Sequence, residues 1–497
     1  RPALTWAILH GHLRAMYDFR PVGFVIGRLT QVLGLSMLAP MLLDLLEGNE
    51  NWQAFLLASF LTVLSGLCLS VATRKAGAGG LTRQQAFLLT TLLWVALPVW
   101  GALPFVLGAP NATYTDAFFE AMSGLTTTGA TVFFDLDTAP RSMLLWRAML
   151  QWFGGVGIVV VAMVFLPSLK IGGMQFFRSE SFDVTGDILP RAVEVAQSVS
   201  WIYLGLTVSC MIAYAAAGMN SFDALCHAMT TIATGGLGNY DASFANFGAA
   251  IHYVAVVFMA LAAMPFVKFV QLAAGRSGPL LRDAQVRAFL TIIAVVTTVM
   301  VAWRISQDSR DFEPAFRAAL FNVTSVLTGT GYSSEDYSLW GGFPVTLFFA
   351  VALIGGCAGS TACSAKIFRY QILLAALEAQ IRRIHSPNGI FQLHYDRRPV
   401  DGEILSSVMG FFFVFFAAIG IWAIALSMFG LNTVTAISGS VAILTNLGPG
   451  LGPEIGPSGN YAGLPDGVKW LMSAGMVLGR LEFMSVLVLL TPAFWAR

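Results

Sequence analysis

The chain is a succession of long apolar runs joined by short polar segments. About 20 apolar residues in a helix span the hydrocarbon core of a bilayer. The pattern therefore predicts an all-α polytopic membrane protein with ten candidate spans, at residues 22–45, 54–73, 85–108, 142–167, 196–218, 250–273, 286–305, 342–357, 406–429 and 467–491.

Four shorter apolar stretches lie between these runs and are too short to cross a bilayer, so we predict re-entrant helices there. They cover residues 116–127, 222–234, 314–328 and 432–445. Each begins with residues suited to a helix start. We assign Asp116 and Asp223 as N-caps, Pro314 to a first turn, and Asn432 or Thr433 as the fourth cap.

The order of long and short runs repeats along the chain. After two leading helices, the sequence long–short–long occurs four times, always in the same direction, which favours a pore around one axis. This predicts a two-helix extension at residues 1–80 and four repeats at 81–190, 191–280, 281–400 and 401–497.

Each short stretch ends in a run of threonine and glycine. Helix C-termini carry partial negative charge, and glycine adopts left-handed backbone angles at little cost. Four such ends around one axis would present carbonyl oxygens to a dehydrated monovalent cation, as carbonyl rings do in potassium channels. The ends are Leu125-Thr-Thr-Thr-Gly129, Thr230-Thr-Ile-Ala-Thr-Gly-Gly236, Leu327-Thr-Gly-Thr-Gly331 and Leu444-Thr-Asn-Leu-Gly448.

Composition and charge exclude several classes of protein. Hydrophobic residues make up 56% and charged residues 11% of the chain, against about 25% charged in soluble proteins. The net charge of +1 argues against a nucleic-acid binder. Motifs of metalloproteases, serine hydrolases and P-loop proteins do not occur. We therefore predict that the chain is not an enzyme and holds no cofactor.

Basic residues lie mainly in alternate loops, which sets the expected orientation. With a cytoplasmic N-terminus, most of the 28 Lys and Arg residues fall on the inside, including Arg74, Arg282, Arg382 and Arg398. The short stretches then lie on the outer side of the membrane.

The apolar run at 342–357 ends in a segment unfavourable for a helix, with Gly355, Gly356, Gly359, Ser360 and Thr361 in quick succession before Lys366. This segment is interpreted either as a flexible helix end or as a loop lying across the pathway.

Ionisable side chains inside apolar runs indicate function or pairing. Arg480 has a functional role, or it pairs with Glu482 or with helix-end carbonyls. Lys366 either faces the pathway or snorkels to the inner surface. We expect Arg147 at the outer interface. Glu120 and His227 occupy equivalent positions in repeats one and two, and are expected to pack and hydrogen-bond behind the short stretches.

The chain resembles the Trk/Ktr/HKT superfamily of potassium transporters, and within it the bacterial Trk-type membrane subunit. The resemblance covers nearly the whole chain. It rests on the four Thr/Gly ends, on Gly355-Gly-Cys-Ala-Gly-Ser-Thr361 with Lys366, and on Gly479-Arg-Leu-Glu482.

The resemblance implies potassium uptake across the bacterial inner membrane through a pseudo-fourfold pore. It implies an intramembrane gating loop at Gly355, Gly356, Gly359, Ser360 and Thr361, with Lys366 and Arg480 nearby. Glycine at all four filter positions favours potassium over sodium. The implied selectivity filter, which binds K⁺ as the transported ion, consists of Thr127, Thr128, Gly129, Thr234, Gly235, Gly236, Gly329, Thr330, Gly331, Asn446, Leu447 and Gly448.

The resemblance further implies a homodimer in the lipid bilayer and a cytoplasmic nucleotide-binding regulatory ring as partner. A symporter coupled to protons or sodium remains an alternative, as does a sodium-permeable cation transporter. The fourth filter segment departs from the Thr/Gly pattern at Asn446 and Leu447, so its geometry is the least determined.

Overall fold

The computed structural model describes residues 18–74, 81–164, 188–308, 311–389, 391–396 and 398–495. The first predicted unit is thus described from residue 18 to 74, and residues 165–187 of the first predicted repeat lie outside the described part. The helices are Arg20–Ser36, Leu38–Glu47, Trp52–Ala72, Arg83–Gly101, Leu103–Leu107, Tyr114–Leu125, Arg141–Val164, Ile188–Ala216, Ser221–Ile232, Ala249–Ala262, Phe266–Ala273, Gly278–Leu281, Ala284–Asp308, Phe312–Thr328, Gly342–Ala352, Ile367–His385, Gly402–Met428, Thr433–Leu444, Asp466–Arg480, Phe483–Leu489 and Pro492–Trp495.

Two single-turn 3₁₀ helices, Leu136–Thr138 and Tyr337–Trp340, and a two-stranded antiparallel ladder complete the described elements. The ladder pairs His394 with Pro399 and Tyr395 with Arg398. Apart from it, the described chain is helical, as the hydrophobic pattern predicts.

Seven of the helical segments are long and apolar enough to cross a membrane, or up to nine if two bent pairs count as one span each. The bent pairs are Ala249–Ala262 with Phe266–Ala273, at 95°, and Asp466–Arg480 with Phe483–Leu489, at 108°. The eighth predicted span, 342–357, is an 11-residue helix, Gly342–Ala352, followed by a non-helical stretch.

The prediction of continuous spans at 250–273 and 467–491 is therefore wrong, for local reasons. Pro265 precedes the second helix of the first pair in extended conformation (φ −64°, ψ 120°) and has no N–H to continue a helix. In the second pair Glu482 has a φ of 60°, which ends the preceding helix. Apolar composition alone carries no signal for a break of this kind.

The four short helices, Tyr114–Leu125, Ser221–Ile232, Phe312–Thr328 and Thr433–Leu444, lie within two residues of the predicted stretches. Asp116 and Asp223 are not their N-caps. The caps are Thr113, Asn220 and Asn432, and each accepts a hydrogen bond from the N–H three residues on. Asp116 and Asp223 lie in the first turn, where a negative charge complements the helix dipole.

The short helices form the buried interior of the molecule, and the long helices surround them. Every residue from Ala117 to Leu125 is buried, whereas large apolar side chains of the long helices, such as Phe60 and Phe413, are exposed. Helix Asp466–Arg480 packs on both the fourth and the first short helix. This contact closes the arrangement into a ring.

The two leading helices approach each other closely through glycine. A Cβ atom on Gly66 would lie 2.7 Å from the Gly27 carbonyl oxygen and 2.8 Å from the Gln31 nitrogen. Ser59 donates to the Gly34 carbonyl at 2.8 Å across the same contact. The backbones of Arg20–Ser36 and Trp52–Ala72 therefore pack directly, as small-residue interfaces allow in membranes.

We predict that Gly66→Ala destabilises the protein, because the new methyl group meets backbone atoms that cannot move aside. Overpacking of this kind costs about 1–3 kcal/mol, which a thermal melt in detergent detects as a lower midpoint. Gly205→Ala is the matched control. It also lies inside a helix, yet nothing lies within 4 Å of the added Cβ. Equal midpoints for the two variants would contradict the predicted packing.

Candidate functional site

The short helices all end in the same backbone conformation. In the glycine segments, defined as residues 127–129, 234–236, 329–331 and 446–448, the first and third residues have positive φ. The first-position values are 51°, 49°, 73° and 50° for Thr127, Thr234, Gly329 and Asn446, and the third-position values are 84°, 79°, 85° and 96° for Gly129, Gly236, Gly331 and Gly448.

The amide groups of these segments bond back to their own helices. In the first segment, Thr127 N–H donates to Gly124 O and Thr128 N–H donates to Ser123 O, both at 2.9 Å. The other three segments repeat this pattern at equivalent positions. All eight first- and second-position N–H groups thus point away from the carbonyls of the segments.

Most carbonyl oxygens of the glycine segments have no hydrogen-bond donor. Within the part of the chain that the structure describes, no N–H or O–H group bonds to the carbonyls of Thr127, Thr128, Gly329, Thr330 or Asn446. These residues are buried. Buried backbone carbonyls are almost always paired, and at membrane depth unpaired ones are tolerated where they line a cavity or pathway.

The four segments contact one another in a closed ring. A Cβ atom on Gly129 would lie 2.2 Å from Gly235 O, and one on Gly236 would lie 1.9 Å from Thr330 O. A Cβ on Gly331 would lie 2.2 Å from Leu447 O, and one on Gly448 would lie 2.6 Å from Thr128 O. Each third-position glycine therefore abuts the second-position carbonyl of the next segment, and no side chain fits at any of the four. The structure thus brings together all twelve residues of the predicted filter.

Two carbonyls of the ring have side-chain donors, which the sequence analysis missed. Gln151 donates from Nε2 to Gly235 O at 2.5 Å, and its Oε1 accepts from Leu237 N–H at 3.1 Å. Tyr461 donates its hydroxyl to Gly448 O at 2.6 Å. Both side chains fix the backbone around the ring from behind.

Asn446 fits the common geometry although its sequence differs. It adopts the left-handed conformation that asparagine tolerates better than most residues. Its side chain donates to Thr128 Oγ1 at 2.9 Å and to Met476 O at 3.0 Å, which ties the fourth segment to the first.

A buried ion pair supports the first glycine segment. Arg147 Nε lies 2.7 Å from Glu120 Oε1, and both side chains are at most 1% exposed. Arg147 also donates to Gly238 O at 2.8 Å, which connects the first repeat to the second. The expectation that Arg147 lies at the outer interface is therefore wrong, whereas Glu120 does hydrogen-bond behind the segment as expected. The signal missed in the sequence is that an acid lies on the neighbouring short helix to pair with Arg147.

The acids in the first turns of two short helices bind further polar groups, one within the second repeat and one across repeats. Asp223 accepts from Asn239 Nδ2 and from the Tyr240 hydroxyl, both at 2.7 Å. Burial, together with this bond to Asp223, raises the pKa of Tyr240 to about 12, so the hydroxyl stays a donor at neutral pH. Lys469 donates to Asp116 at 2.5 Å and joins the fourth repeat to the first.

Residues 353–366, here called the crossing loop, connect helices Gly342–Ala352 and Ile367–His385. The loop bonds to the backbone of the break near Pro265. Cys357 N–H donates to Ala263 O at 3.0 Å, and Phe266 N–H donates to Gly359 O at 2.9 Å. Thr361 Oγ1 donates to Ala262 O at 3.0 Å.

The predicted gate residues Gly355, Gly356, Gly359, Ser360 and Thr361 all lie in the crossing loop. Gly355 (φ 81°) and Gly359 (φ 74°) take left-handed conformations. A Cβ on Gly355 would lie 2.4 Å from Cys363 O, so the loop folds tightly on itself there.

Arg480 lies between the crossing loop and the ends of the short helices. It donates to Thr361 O at 3.4 Å and to Gly154 O at 3.5 Å, contacts Cys363 Sγ, and is 3% exposed. Arg480 and Glu482 do not pair with each other, so that part of the prediction is wrong. The alternative partner, the carbonyl end of a helix, is offered by the first and fourth short helices. Within the described residues Arg480 has no ion-pair partner.

The first and fourth short helices end beside Arg480. A Cβ on Gly154 would touch Leu125 O at 1.9 Å, and one on Gly479, the residue before Arg480, would lie 2.4 Å from Leu444 O. Leu125 and Leu444 are the last residues of those helices. A guanidinium at helix C-termini is stabilised by their partial negative charge.

Glu482 binds two cations of the adjoining segment. Lys366 Nζ lies 3.6 Å from Glu482 Oε1, and Arg369 donates to Glu482 Oε2. The Lys366 side chain is 8% exposed, so of its two interpretations snorkelling to the surface is wrong. Lys366, Arg480 and Glu482 line a small cavity, together with Cys363, Leu444 and Phe415.

The described residues contain no group of three or more His, Cys, Asp or Glu side chains that could hold a metal ion. Side-chain clusters of that kind differ from a ring of backbone carbonyls, which suits a monovalent cation.

Comparison with known proteins gives consistent matches over the whole chain. The family model TrkH, "Cation transport protein", matches residues 52–496. The chain is 41% identical to the Trk system potassium uptake protein TrkI of Halomonas elongata, covering 96% of this chain and 97% of that protein. It is 36% identical to TrkH of Escherichia coli (strain K12), covering 96% and 99%.

A solved structure shows the same fold. The crystal structure of the potassium transporter TrkH from Vibrio parahaemolyticus superposes with a TM-score of 0.88 at 34% identity, covering 96% of this chain and 99% of that chain. These relatives are transporters, so the prediction that the chain is not an enzyme is confirmed.

We predict that Glu482→Gln destabilises the protein strongly, because it removes the carboxylate that pairs with the buried Lys366 and binds Arg369. Breaking a buried pair costs about 3–5 kcal/mol. Glu378→Gln is the matched control, since Glu378 pairs with Arg382 on an exposed helix face at 62% exposure, where such pairs contribute about 0.3–0.5 kcal/mol. Thermal melts in detergent should show a large drop for the first variant only. A similarly small decrease of the melting midpoint in both variants would contradict the predicted contribution of the buried Glu482 ion pairs to stability.

Proposed function

Because the chain belongs to the TrkH family of cation transport proteins, we propose that it takes up potassium across the bacterial inner membrane through a pore formed by its four repeats. The ring of unpaired backbone carbonyls is the observation that carries the proposal. The relatives that are named as potassium uptake proteins support the choice of ion.

The glycine segments form the selectivity filter in this proposal. Thr127, Thr128, Thr234, Gly329, Thr330, Asn446 and Leu447 supply carbonyl oxygens that replace the hydration shell of K⁺. Gly235 belongs to the same ring, but its carbonyl oxygen already accepts a hydrogen bond from Gln151. The glycine contacts set the distance between neighbouring carbonyls, because no side chain separates the segments.

The crossing loop is proposed as the gate. It bonds through backbone atoms and Thr361 to the break at Pro265, and these bonds can be exchanged without unfolding a helix. Arg480 beside it would repel cations from the cavity at rest. Movement of the loop, with Lys366 and the helix that follows, would open the pathway.

We propose that conduction is passive. The cavity-lining carboxylate Glu482 is paired with Lys366 and Arg369, so it is not poised to exchange a proton with each transported ion. Reversal potentials that follow the potassium gradient alone support a passive pore. Potentials that shift with a proton or sodium gradient support the symport alternative.

The orientation, the oligomeric state and the regulatory partner are proposed from the family resemblance. The chain spans the membrane several times with a cytoplasmic N-terminus, forms a homodimer, and is controlled by a cytoplasmic nucleotide-binding ring. Helix Ile367–His385 continues directly from the crossing loop and ends in the basic residues Arg382, Arg383 and His385. It can therefore transmit a partner's movement to the loop.

Purified protein in liposomes should admit K⁺ and Rb⁺ in preference to Na⁺ and Li⁺. Gly129→Ser should lower the K⁺/Na⁺ flux ratio, because its Cβ would displace Gly235 O. Overpacking of this kind costs about 1–3 kcal/mol, so we expect the ratio to fall by about fivefold or more. Equal fluxes of all four cations through the wild-type protein would overturn the proposed filter.

Gly430→Ser is the control for this substitution. Gly430 has a similar φ of 90°, but nothing lies within 4 Å of an added Cβ. It shares the backbone strain and lacks the contact with a neighbouring carbonyl. A ratio that falls equally in both variants would show that general strain, and not the ring contact, causes the loss.

Thr361→Val should raise passive cation flux, because it removes the hydrogen bond to Ala262 O while keeping the side-chain volume. One buried hydrogen bond contributes about 0.5–1.5 kcal/mol, so an increase of a few fold is expected. Thr297→Val is the control, since the buried Thr297 hydroxyl has no partner. Shortening 356–361 should raise flux further. Flux unchanged by both alterations of the loop argues against the gate.

A further inference from the structure

The backbone leaving each glycine segment is held by a side chain of its own short helix. In every repeat this side chain accepts a hydrogen bond from the N–H three residues beyond the third-position glycine. Glu120 Oε2 accepts from Val132 N–H at 3.0 Å, and Asn322 Oδ1 accepts from Ser334 N–H at 3.2 Å. The other two bonds join Asn239 N–H to His227 Nε2 at 3.5 Å and Leu451 N–H to Ser438 Oγ at 2.9 Å.

The positions are equivalent although the residue types differ. Glu120, His227 and Asn322 each precede their segment's glycine by nine residues. The fourth repeat has Gly439 at that position, and the adjacent Ser438 supplies the acceptor. Four different residue types thus perform one task.

Three of these side chains also bond to their own helix. His227 Nδ1 bonds to Asp223 O at 2.9 Å, Asn322 Nδ2 to Ala318 O at 2.9 Å, and Ser438 Oγ to Val434 O at 2.7 Å. Each of these contacts reaches the carbonyl four residues earlier. Because His227 Nε2 must accept from Asn239, its proton lies on Nδ1, which makes the ring a neutral acceptor–donor like asparagine and serine.

Glu120 alone among the four side chains does not bond to a carbonyl of its own helix, and its chemistry explains why. An ionised carboxylate has no hydrogen to donate, so it cannot bond to the carbonyl of Asp116. Arg147 binds its other oxygen and satisfies the charge. The four acceptors are buried, with relative exposures of 0% for Glu120, His227 and Asn322 and 4% for Ser438.

We infer that Glu120, His227, Asn322 and Ser438 are positioning residues that set the ion selectivity of the pore by fixing both ends of each glycine segment. One end is continuous with the short helix, and the acceptor holds the other end against the same helix. This inference rests on the proposed function of the segments as the selectivity filter.

Ser438→Ala tests the inference, with Ser440→Ala as the matched control. Both serines are buried on the same helix, but Ser440 donates only to Ile437 O within that helix. Hydrogen–deuterium exchange of purified full-length protein first measures the Leu451 amide. Loss of its acceptor should accelerate that exchange by about three- to tenfold in Ser438→Ala, and Ser440→Ala should match the wild-type protein.

The second measurement is the K⁺/Na⁺ flux ratio of the same variants in liposomes. We expect the ratio to fall by about three- to tenfold in Ser438→Ala, and further when Asn322→Ala is added. Total K⁺ flux should persist, since no residue lining the pathway changes.

The outcomes separate the inference from the function on which it rests. A faster Leu451 exchange with an unchanged flux ratio overturns the positioning role and leaves the filter intact, provided Gly129→Ser still lowers the ratio. Exchange unaffected by Ser438→Ala also overturns it. A wild-type protein that does not discriminate K⁺ from Na⁺ overturns the proposed filter, and with it any role of these residues in selectivity.

Discussion

The contact between four glycines and four backbone carbonyls is the constraint around which this protein is built. Carbonyl oxygens without hydrogen-bond donors are costly inside a membrane, because water is absent and hydrocarbon cannot replace it. The chain accepts this cost where the short helices converge. Both the first- and third-position residues of each segment must then adopt left-handed angles, and the third position can hold glycine alone because the next carbonyl lies against it.

The rest of the interior keeps these carbonyls from finding other partners. The segment amides bond to their own helices, and the N–H groups beyond each glycine bond to Glu120, His227, Asn322 and Ser438. The first- and second-position amide donors of the segments, and the amides three residues beyond each third-position glycine, are thereby occupied. Buried polar networks are stabilising only when each member is satisfied, which explains why Glu120, the acceptor unable to donate, requires Arg147. The sequence similarity among the repeats is low at these positions because several residue types meet the same geometric requirement.

The short helices and the glycine segments could be predicted from the sequence, because periodicity and spacing encode them. Features that depend on contacts between distant segments could not. The short helices were predicted within two residues, and the twelve segment residues do lie together, because Thr/Gly ends recur at similar intervals. The helix breaks at Pro265 and Glu482 were missed, because the apolar composition of a run does not show the backbone conformation of a single residue. Glu482, for example, has a φ of 60°. Arg147 is expected at the interface when its own segment is considered alone, whereas its burial depends on Glu120, 27 positions earlier. The partners of Gln151 and Tyr461 likewise require the ring to be closed.

The charged side chains beside the crossing loop are also stabilised by specific partners. Lys366, Arg369 and Arg480 carry three positive charges, and Glu482 carries one negative charge bound to the first two. Arg480 has the ends of two short helices as its electrostatic partner, and each helix end has roughly half a negative charge. In the proposed function, a cation in the ring and the guanidinium of Arg480 would both be attracted by these helix ends and would repel each other. Occupancy of the ring and the position of Arg480 would then be coupled. The crossing loop touches Arg480 at Thr361 and Cys363, so a displacement of the loop changes this balance. The proposed gate and the proposed filter thus share one electrostatic element, the guanidinium of Arg480.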